Sequence, residues 1–166
     1  GNLSYLDTID GGDGTDVITV AQDVSDVDFM NVTNVETLTI DENGTSTNTL
    51  GAYVNQSGIT KVNLDPTHVS TIRANGTSGN IGYVMTNNPA ADDLAEDIQA
   101  GLGDDTLTVT GTNQLKADDT FDGGAGADSI IINNSGAATI IANLELITNV
   151  EKIVVKDDNG GDTVGA

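Results

Sequence analysis

Three segments of this chain align with one another without gaps, and this repetition limits the folds that are possible. Residues 7–19 read DTIDGGDGTDVIT, residues 96–108 read EDIQAGLGDDTLT, and residues 119–131 read DTFDGGAGADSII. The last two segments begin at residues 96 and 119, which are 23 positions apart, as successive units of a tandem repeat would be. Repeats of about 20 to 50 residues are typical of solenoids and other stacked arrays.

A second repeated pattern has the same spacing. The sequence TNVE occupies residues 33–36 and 148–151, and the aliphatic runs TLTI and KIVV follow it. Glu36 lies 20 positions after Asp16, and Glu151 lies 23 positions after Asp128. An acidic residue therefore recurs just before a strand-like run at the interval expected for one coil. In a stack of coils, such residues would lie about 4.8 Å apart, and they would repel one another unless a cation lay between them.

The rest of the pattern favours strands. Val, Ile and Leu supply most of the apolar residues, and turn residues separate short apolar runs about every 8–12 positions. This spacing also fits a sandwich or a barrel, but the repeats favour a stack. We therefore predict an all-β fold, a right-handed parallel β-helix or β-roll-like solenoid with calcium in the turns. Residues 1–166 are expected to form one module of a longer surface protein, with a less regular section at 41–95. A short helix is predicted at 89–97, after a proline.

The charge of the chain limits its partners. Five basic residues face 26 acidic ones, for a net charge of -21. We expect neither nucleic acid nor anionic membrane surfaces as partners, because the chain lacks the basic patch that binds them. There is no cysteine, so disulfides and thiolate metal sites are excluded. We expect bound cations to offset the crowded carboxylates, because the uncompensated charge would repel itself.

The motif in the repeated segments is G-G-x-G-x-D-x-U-x, in which U is a large aliphatic residue. Residues 11–19 and 123–131 match it fully, and residues 100–108 match it except that Ala100 replaces the first glycine. Nonapeptides of this form are known to bind Ca²⁺ in stacked coils. Glycine allows the backbone to curl so that carbonyl oxygens point inward, and Ca²⁺ takes carbonyl and carboxylate oxygens as ligands. The aliphatic residues Ile18, Leu107 and Ile130 are expected to point into the coil.

The predicted ligands of several Ca²⁺ ions come from these three copies, from the acidic residue upstream of each, and from a degenerate copy at 159–164. They are Asp7, Gly11, Asp13, Gly14, Asp16, Glu96, Gly101, Gly103, Asp105, Asp119, Gly123, Gly124, Gly126, Asp128 and Asp162. Glu36 and Glu151 lack a glycine turn. We expect them to be surface charges or hydrogen-bond acceptors and not ligands.

On the basis of these motifs, the chain resembles the RTX family, also called the hemolysin-type calcium-binding repeat family. The sparse motifs and the N-V-E-x-L-x-I segments are similar to those of bacterial S-layer and other large surface proteins. The resemblance implies type I secretion, folding outside the cell and, in the S-layer case, calcium-dependent assembly of a lattice. The motifs here are not in uninterrupted tandem, as they are in toxin-type blocks. This favours a β-helix-like stack with a few sites over a regular β-roll.

We therefore expect a non-catalytic, calcium-binding structural module of a bacterial surface layer or comparable extracellular array. It would associate with itself or with neighbouring domains, without inserting into a membrane. His68 is the only histidine and Arg73 the only arginine, which argues against an enzyme. One alternative is a segment of an RTX adhesin that binds a surface or polysaccharide. Another is the folding and export appendage of a type I-secreted enzyme.

Overall fold

The computed structural model describes residues 2–41, 44–64, 70–86, 95–110, 115, 118–134, 140–141, 144–157 and 163–164. Among these residues, β-strands dominate, with one short α-helix and two short 3-10 helices. None of the described helices is long and apolar enough to cross a membrane.

The strands are short, and most contain two to five residues. In chain order they are β1 (Ile9–Asp10), β2 (Val17–Val20), β3 (Val32–Thr33), β4 (Thr37–Ile40), β5 (Ser46–Thr49), β6 (Lys61–Leu64), β7 (Ser70–Arg73), β8 (Gly82–Met85), β9 (Asp97–Gln99), β10 (Thr106–Thr110), β11 (Thr120–Asp122), β12 (Ser129–Asn134), β13 (Ile140–Ile141), β14 (Ile147–Thr148), β15 (Lys152–Asp157) and β16 (Thr163–Val164). The helix α1 spans Ala52–Ser57, and the 3-10 helices span Asp26–Phe29 and Leu144–Leu146.

These strands form two main parallel sheets. The seven-stranded sheet has the order β15-β12-β10-β8-β6-β4-β2, and the five-stranded sheet has the order β14-β11-β9-β7-β5. From β4 to β12 the chain alternates between the two sheets, so each pair of strands makes one coil that stacks on the previous one. The pairs β1-β3 and β13-β16 are also parallel. The prediction of an all-β parallel solenoid is confirmed.

Equivalent residues of successive coils lie above one another in exact parallel register. One interior column of the seven-stranded sheet runs from β2 to β15 through Ile18, Leu38, Val62, Tyr83, Leu107, Ile130 and Ile153. Its five central members are at most 1% exposed. Each buried side chain of this size contributes about 1.5–3 kcal/mol relative to an exposed one. The predicted inward direction of Ile18, Leu107 and Ile130 is confirmed, since all three belong to or pack against the core.

The five-stranded sheet closes the opposite side of the core. Its buried Ile72, Ile98 and Phe121 lie in one register column. The rings of Phe121 and Tyr83 meet edge to face with centroids 6.3 Å apart, which links the two sheets through the interior. The sequence DxUx upstream of each glycine motif contributes strands β1, β9 and β11, as the repeat predicts.

The section 41–95 contributes β5 to β8, which continue the same two sheets, together with the helix α1. The helix α1 was not predicted from the sequence. Asp26 lies in an earlier coil, and its carboxylate accepts hydrogen bonds from the N–H groups of Tyr53 and Val54 at the start of the helix. The helix ends at Gly58, whose φ of 98° suits a left-handed C-cap. The helix predicted at 89–97 lies mostly outside the described residues, and Asp97 begins β9.

Candidate functional site

A column of acidic side chains runs along one corner of the solenoid, at the position immediately before each strand of the seven-stranded sheet. We call it the acidic column, and its members are Asp16, Glu36, Asp105, Asp128 and Glu151. Thr60 and Ile81 occupy the same position in the two coils between Glu36 and Asp105. The regular position of these acids follows from the 20- to 24-residue length of the coils, because Cα positions stay in register from strand to strand.

Within the acidic column, a carboxylate accepts a hydrogen bond from the backbone of the preceding coil. Glu36 Oε2 accepts from the Asp16 N–H at 2.8 Å, and Glu151 Oε2 accepts from the Asp128 N–H at 2.7 Å. Asp128 Oδ1 in turn accepts from the Asp105 N–H at 2.7 Å. The prediction that Glu36 and Glu151 are hydrogen-bond acceptors is therefore confirmed. Each bond satisfies an N–H group that would otherwise lack a partner at the start of a strand.

The acidic column contains buried charge without basic partners. Asp105 is 0% exposed and Asp128 is 1% exposed. The ion pair between Arg73 and Asp97 belongs to the other sheet, and no member of the column forms an ion pair within the described part of the chain. Burial raises the pKa of Asp105 and of Asp128, although backbone hydrogen bonds to each carboxylate act in the opposite direction. The charges of neighbouring carboxylates, Glu151 first among them, raise the pKa of Asp128 further.

The two full motifs form turns with the same backbone conformation. Gly12 and Gly14 have φ angles of 84° and 130°, and Gly124 and Gly126 have 86° and 148°. These values favour glycine because a Cβ atom would be strained there. The first glycine of each motif meets a different constraint: a Cβ atom on Gly123 would overlap the Asn149 carbonyl oxygen and lie 2.8 Å from Asp128 Cγ. The motif glycines therefore let the turn close directly against the aspartate.

A second pair of residues fixes each of these turns to the following coil. Asp10 Oδ1 accepts from the Gly12 N–H at 3.1 Å and from Asn34 Nδ2 at 2.7 Å. The equivalent Asp122 Oδ1 accepts from Gly124 and Asn149 at the same two distances.

Both asparagines have left-handed backbone conformations, with φ of 55° for Asn34 and 53° for Asn149. Asparagine tolerates this conformation better than most residues. These four polar side chains were not among the predicted site residues. The repeated TNVE and DGG sequences were the signal for them, because each pair recurs in both copies.

One carboxylate oxygen in each full motif has no partner. Asp16 Oδ2 and Asp128 Oδ2 are buried and accept no hydrogen bond. In the 100–108 copy, by contrast, both oxygens of Asp105 are satisfied: Oδ1 accepts from the Ile81 N–H at 2.7 Å and Oδ2 from the Gly101 N–H at 3.0 Å. A buried anionic oxygen without a partner is costly, and it points to a ligand.

The remaining predicted ligands lie in several environments. Asp119 and Glu96 form a second acidic pair before strands of the five-stranded sheet, where Asp119 Oδ1 accepts from the Glu96 N–H at 3.1 Å. Asp7 accepts from the Ser4 N–H in an exposed turn. Asp13 is exposed in the first glycine turn, and Asp162 lies outside the described residues.

Glycines of the 100–108 copy pack tightly against the coil before it. A Cβ atom on Gly103 would lie 2.6 Å from the Gly79 carbonyl group, and one on Gly101 would overlap Thr77. The Gly101 carbonyl oxygen accepts from the Ala125 N–H at 3.0 Å, so this turn also bonds to the coil after it. Backbone contacts of this kind account for these glycines without a bound ion.

Within the described residues there is no cluster of three or more Asp, Glu, His or Cys side chains arranged to hold a metal ion. A cation here would therefore need main-chain or amide oxygens in addition to carboxylates, as Ca²⁺ accepts. Comparison of the chain with protein-family models, with curated proteins and with solved structures finds no significant match.

Proposed function

We propose that this chain is a calcium-binding structural module of a bacterial surface layer or comparable extracellular array, whose stack of coils is stabilised by Ca²⁺. The observation that carries the proposal is the pair of buried, unpartnered oxygens Asp16 Oδ2 and Asp128 Oδ2. They occur at the same place in two copies of the same glycine turn. A feature that repeats with this detail is better explained by a common ligand than by two independent packing defects.

The residues present suit Ca²⁺ better than other partners. Removing a carboxylate from water without a compensating group costs several kcal/mol, and the chain has only five basic residues to offset 26 acidic ones. Ca²⁺ is a hard cation that binds carboxylate and carbonyl oxygens in flexible geometry. Asp16 and Asp128 would supply charged ligands. Carbonyl oxygens of the turns at 11–14 and 123–126 would supply neutral ones.

If the sites bind Ca²⁺ with the affinity of ordinary extracellular calcium modules, Ca²⁺ would stabilise the fold outside the cell and not in the cytosol. Extracellular calcium modules have Kd values of about 10⁻⁴ to 10⁻³ M. At a free concentration of ten times Kd, each site adds about 1.4 kcal/mol to the free energy of unfolding. Several sites would together be comparable with the stability of a small domain, about 5–15 kcal/mol. At cytosolic calcium this contribution disappears, which suits a chain exported unfolded by type I secretion.

Calcium titration of the whole chain tests the proposal. We expect the circular dichroism spectrum and the melting temperature to depend on whether the buffer contains EGTA or millimolar Ca²⁺. Millimolar Mg²⁺ is the control, because its demand for octahedral geometry makes it a poor substitute in a carbonyl-rich turn. Identical strand-rich spectra and identical melting temperatures in EGTA and Ca²⁺ would refute calcium-dependent stability.

The array part of the proposal concerns contacts between modules. β15 is the last strand of the seven-stranded sheet and pairs on one side, with β12, in the described part of the chain. Ile153 and Val155 on this strand are 39% and 37% exposed, whereas the residues in register with them on β12 are buried. An exposed strand edge with apolar residues suits either a further coil of the same stack or a neighbouring module, and the proposed array uses contacts of the second kind. We expect electron microscopy to reveal ordered assemblies when Ca²⁺ is added, and a calcium-bound monomer that binds a glycan would instead support the adhesin alternative.

A further inference from the structure

In a revision of the sequence-based expectation that they are not ligands, we propose that Glu36 and Glu151 are the second carboxylate ligands of two equivalent divalent-cation sites. Each site is built from one glycine turn and the N-V-E coil that follows it. The inference rests on the calcium-binding function proposed above and assigns its ligands more narrowly. One site joins Asp16 to Glu36, and the other joins Asp128 to Glu151. The ion expected is a hard divalent cation with the oxygen preference of Ca²⁺.

The first argument is that the two places are duplicates in detail. In each, the glutamate of the later coil lies against the aspartate of the earlier coil, with backbone-to-carboxylate distances of 2.8 Å for Asp16–Glu36 and 2.7 Å for Asp128–Glu151. In each, one oxygen of the aspartate remains buried and without a partner. Within the described residues, no basic side chain forms an ion pair with a member of either pair, so the negative charges of each pair are uncompensated unless a cation joins them.

Second, additional hydrogen bonds hold the segment next to each aspartate–glutamate pair. Asp10 and Asp122 bind the amide groups of Asn34 and Asn149, respectively, at 2.7 Å. Each asparagine lies two residues before the glutamate of its coil, so this bond fixes the segment that carries the glutamate. A ligand that is held in position before the ion arrives loses less conformational entropy on binding. Both polar residues of the N-V-E sequence, the asparagine and the glutamate, thus have a role at the proposed site.

The third argument is the contrast with the remaining motif copy. Asp105 has the same position in the acidic column, but the Gly101 N–H satisfies its second oxygen. The backbone N–H of Asp105 donates to Asp128 of the next coil and not to a glutamate. This copy has no unpartnered oxygen and lacks a following N-V-E coil. The structure therefore assigns cation sites to the first and last glycine motifs and a hydrogen-bonded turn to the middle one.

Substituting the glutamates by glutamine isolates the proposed role. In Glu36→Gln and Glu151→Gln, the amide oxygen can still accept the backbone hydrogen bond, but the carboxylate charge is lost. The full chain and its variants are titrated with CaCl₂ by isothermal calorimetry at pH 7. We expect each single variant to weaken one binding event by at least about tenfold. The double variant should lose both events.

Asp41→Asn is the control, because it removes one negative charge from an exposed position at the other end of β4 from Glu36. We expect its titration to match that of the unmodified chain. Melting in EGTA provides the second measurement, and the glutamine variants should be at least as stable there as the unmodified chain. Unchanged calcium binding by the double variant would overturn the inference and leave the proposed function intact. If the unmodified chain binds no Ca²⁺, the proposed function itself fails.

Discussion

The last glycine motif, at 123–131, and the middle one, at 100–108, differ in whether one oxygen of the motif aspartate has a hydrogen-bond partner. Asp128 and Asp105 occupy adjacent positions of the same column, and both are buried. Asp105 uses both oxygens to accept backbone hydrogen bonds, whereas Asp128 uses one and leaves the other without a partner. The aspartate of a repeat therefore does not by itself define a proposed ion site. In the proposed sites, an aspartate oxygen is left for an ion only where the surrounding N–H groups already donate to other acceptors.

The difference originates at the residue before the glycines. Asp122 captures the Gly124 N–H, which leaves Asp128 Oδ2 without that donor. The equivalent of Asp122 in the middle copy is Gln99, and the equivalent N–H, that of Gly101, donates to Asp105. Asp10 reproduces the arrangement of Asp122 in the first copy. A single acidic residue upstream of the motif therefore separates two copies with a free carboxylate oxygen from one without.

The largest effect is expected for the glycines that close the turns. A Cβ atom in Gly123→Ala would overlap the Asn149 carbonyl oxygen, so we expect the free energy of unfolding to fall by about 3 kcal/mol. Gly12→Ala, at the second position of the first motif, is the control, because its Cβ atom would meet open space and bear only the strain of positive φ, about 1–2 kcal/mol. Urea denaturation of both variants in EGTA measures this. Equal losses would show that contact with the next coil is not the main constraint.

Substituting Asp105 and Asp128 by asparagine tests whether the two aspartates have different roles. Asp105→Asn loses an acceptor for one buried N–H group, and we expect it to destabilise the chain by about 1–3 kcal/mol in EGTA and Ca²⁺ alike. Asp128→Asn keeps the acceptor for the Asp105 N–H and removes a buried charge, so it should not destabilise the chain in EGTA.

The same Asp128 variant should lose part of the stabilisation by Ca²⁺, about 1.4 kcal/mol at ten times the Kd. Thermal melts in the two buffers distinguish the variants. If Asp105→Asn, and not Asp128→Asn, abolished the response to calcium, the assignment of the two turns would be reversed.

Lowering the pH should stabilise the folded protein through both Asp105 and Asp128. Their folded-state pKa values are raised, chiefly by burial, so the folded protein takes up protons before the unfolded chain does. The stabilisation is complete below the ordinary aspartate pKa of about 4 and is lost as the pH rises through the raised values. In EGTA we therefore expect the melting temperature to increase as the pH is lowered from 7 towards the ordinary aspartate pKa of about 4. A steady decrease over this range would contradict the raised pKa values.

The smallest effect is expected far from the acidic column. Burial would raise the pKa of Asp97, but its hydrogen bonds to Arg73 and Thr120 outweigh this and lower it. The side chains of Arg73 and Asp97 are 33% and 36% exposed, so solvent screens their attraction. We expect Arg73→Met to cost at most about 1 kcal/mol and to leave calcium binding unchanged. A larger loss in urea denaturation would show that this pair contributes more than an ordinary surface ion pair.

Much of the fold could be predicted from the sequence because its signals are local and repeated. The apolar positions Ile18, Leu107 and Ile130 follow from alternation after the motif, and the structure confirms their inward direction. The position of Asp16, Asp105 and Asp128 before strands likewise follows from the motif. Parallel stacking followed from the regular interval, since equivalent residues in a solenoid must lie in register.

The features that escaped prediction depend on contacts between coils. The helix α1 is short, and its first N–H groups bond to Asp26, which lies 27 and 28 positions before Tyr53 and Val54. The different environments of Asp105 and Asp128 depend on which N–H groups are already bonded, and the motif does not reveal that. The role of Asn34 was visible only as a repeated TNVE sequence, because its bond to Asp10 crosses 24 positions.

The direction of the bonds in the acidic column has a consequence for the order in which the coils of the growing chain can be completed. Glu36, Asp105, Asp128 and Glu151 each reach back to the coil made before them. Because a ribosome makes the chain from its N-terminus, each of the coils that receives such a bond obtains its acceptor only after the next coil has been made. The hydrogen bonding of this corner of the molecule can therefore be completed only one coil behind the growing end of the chain.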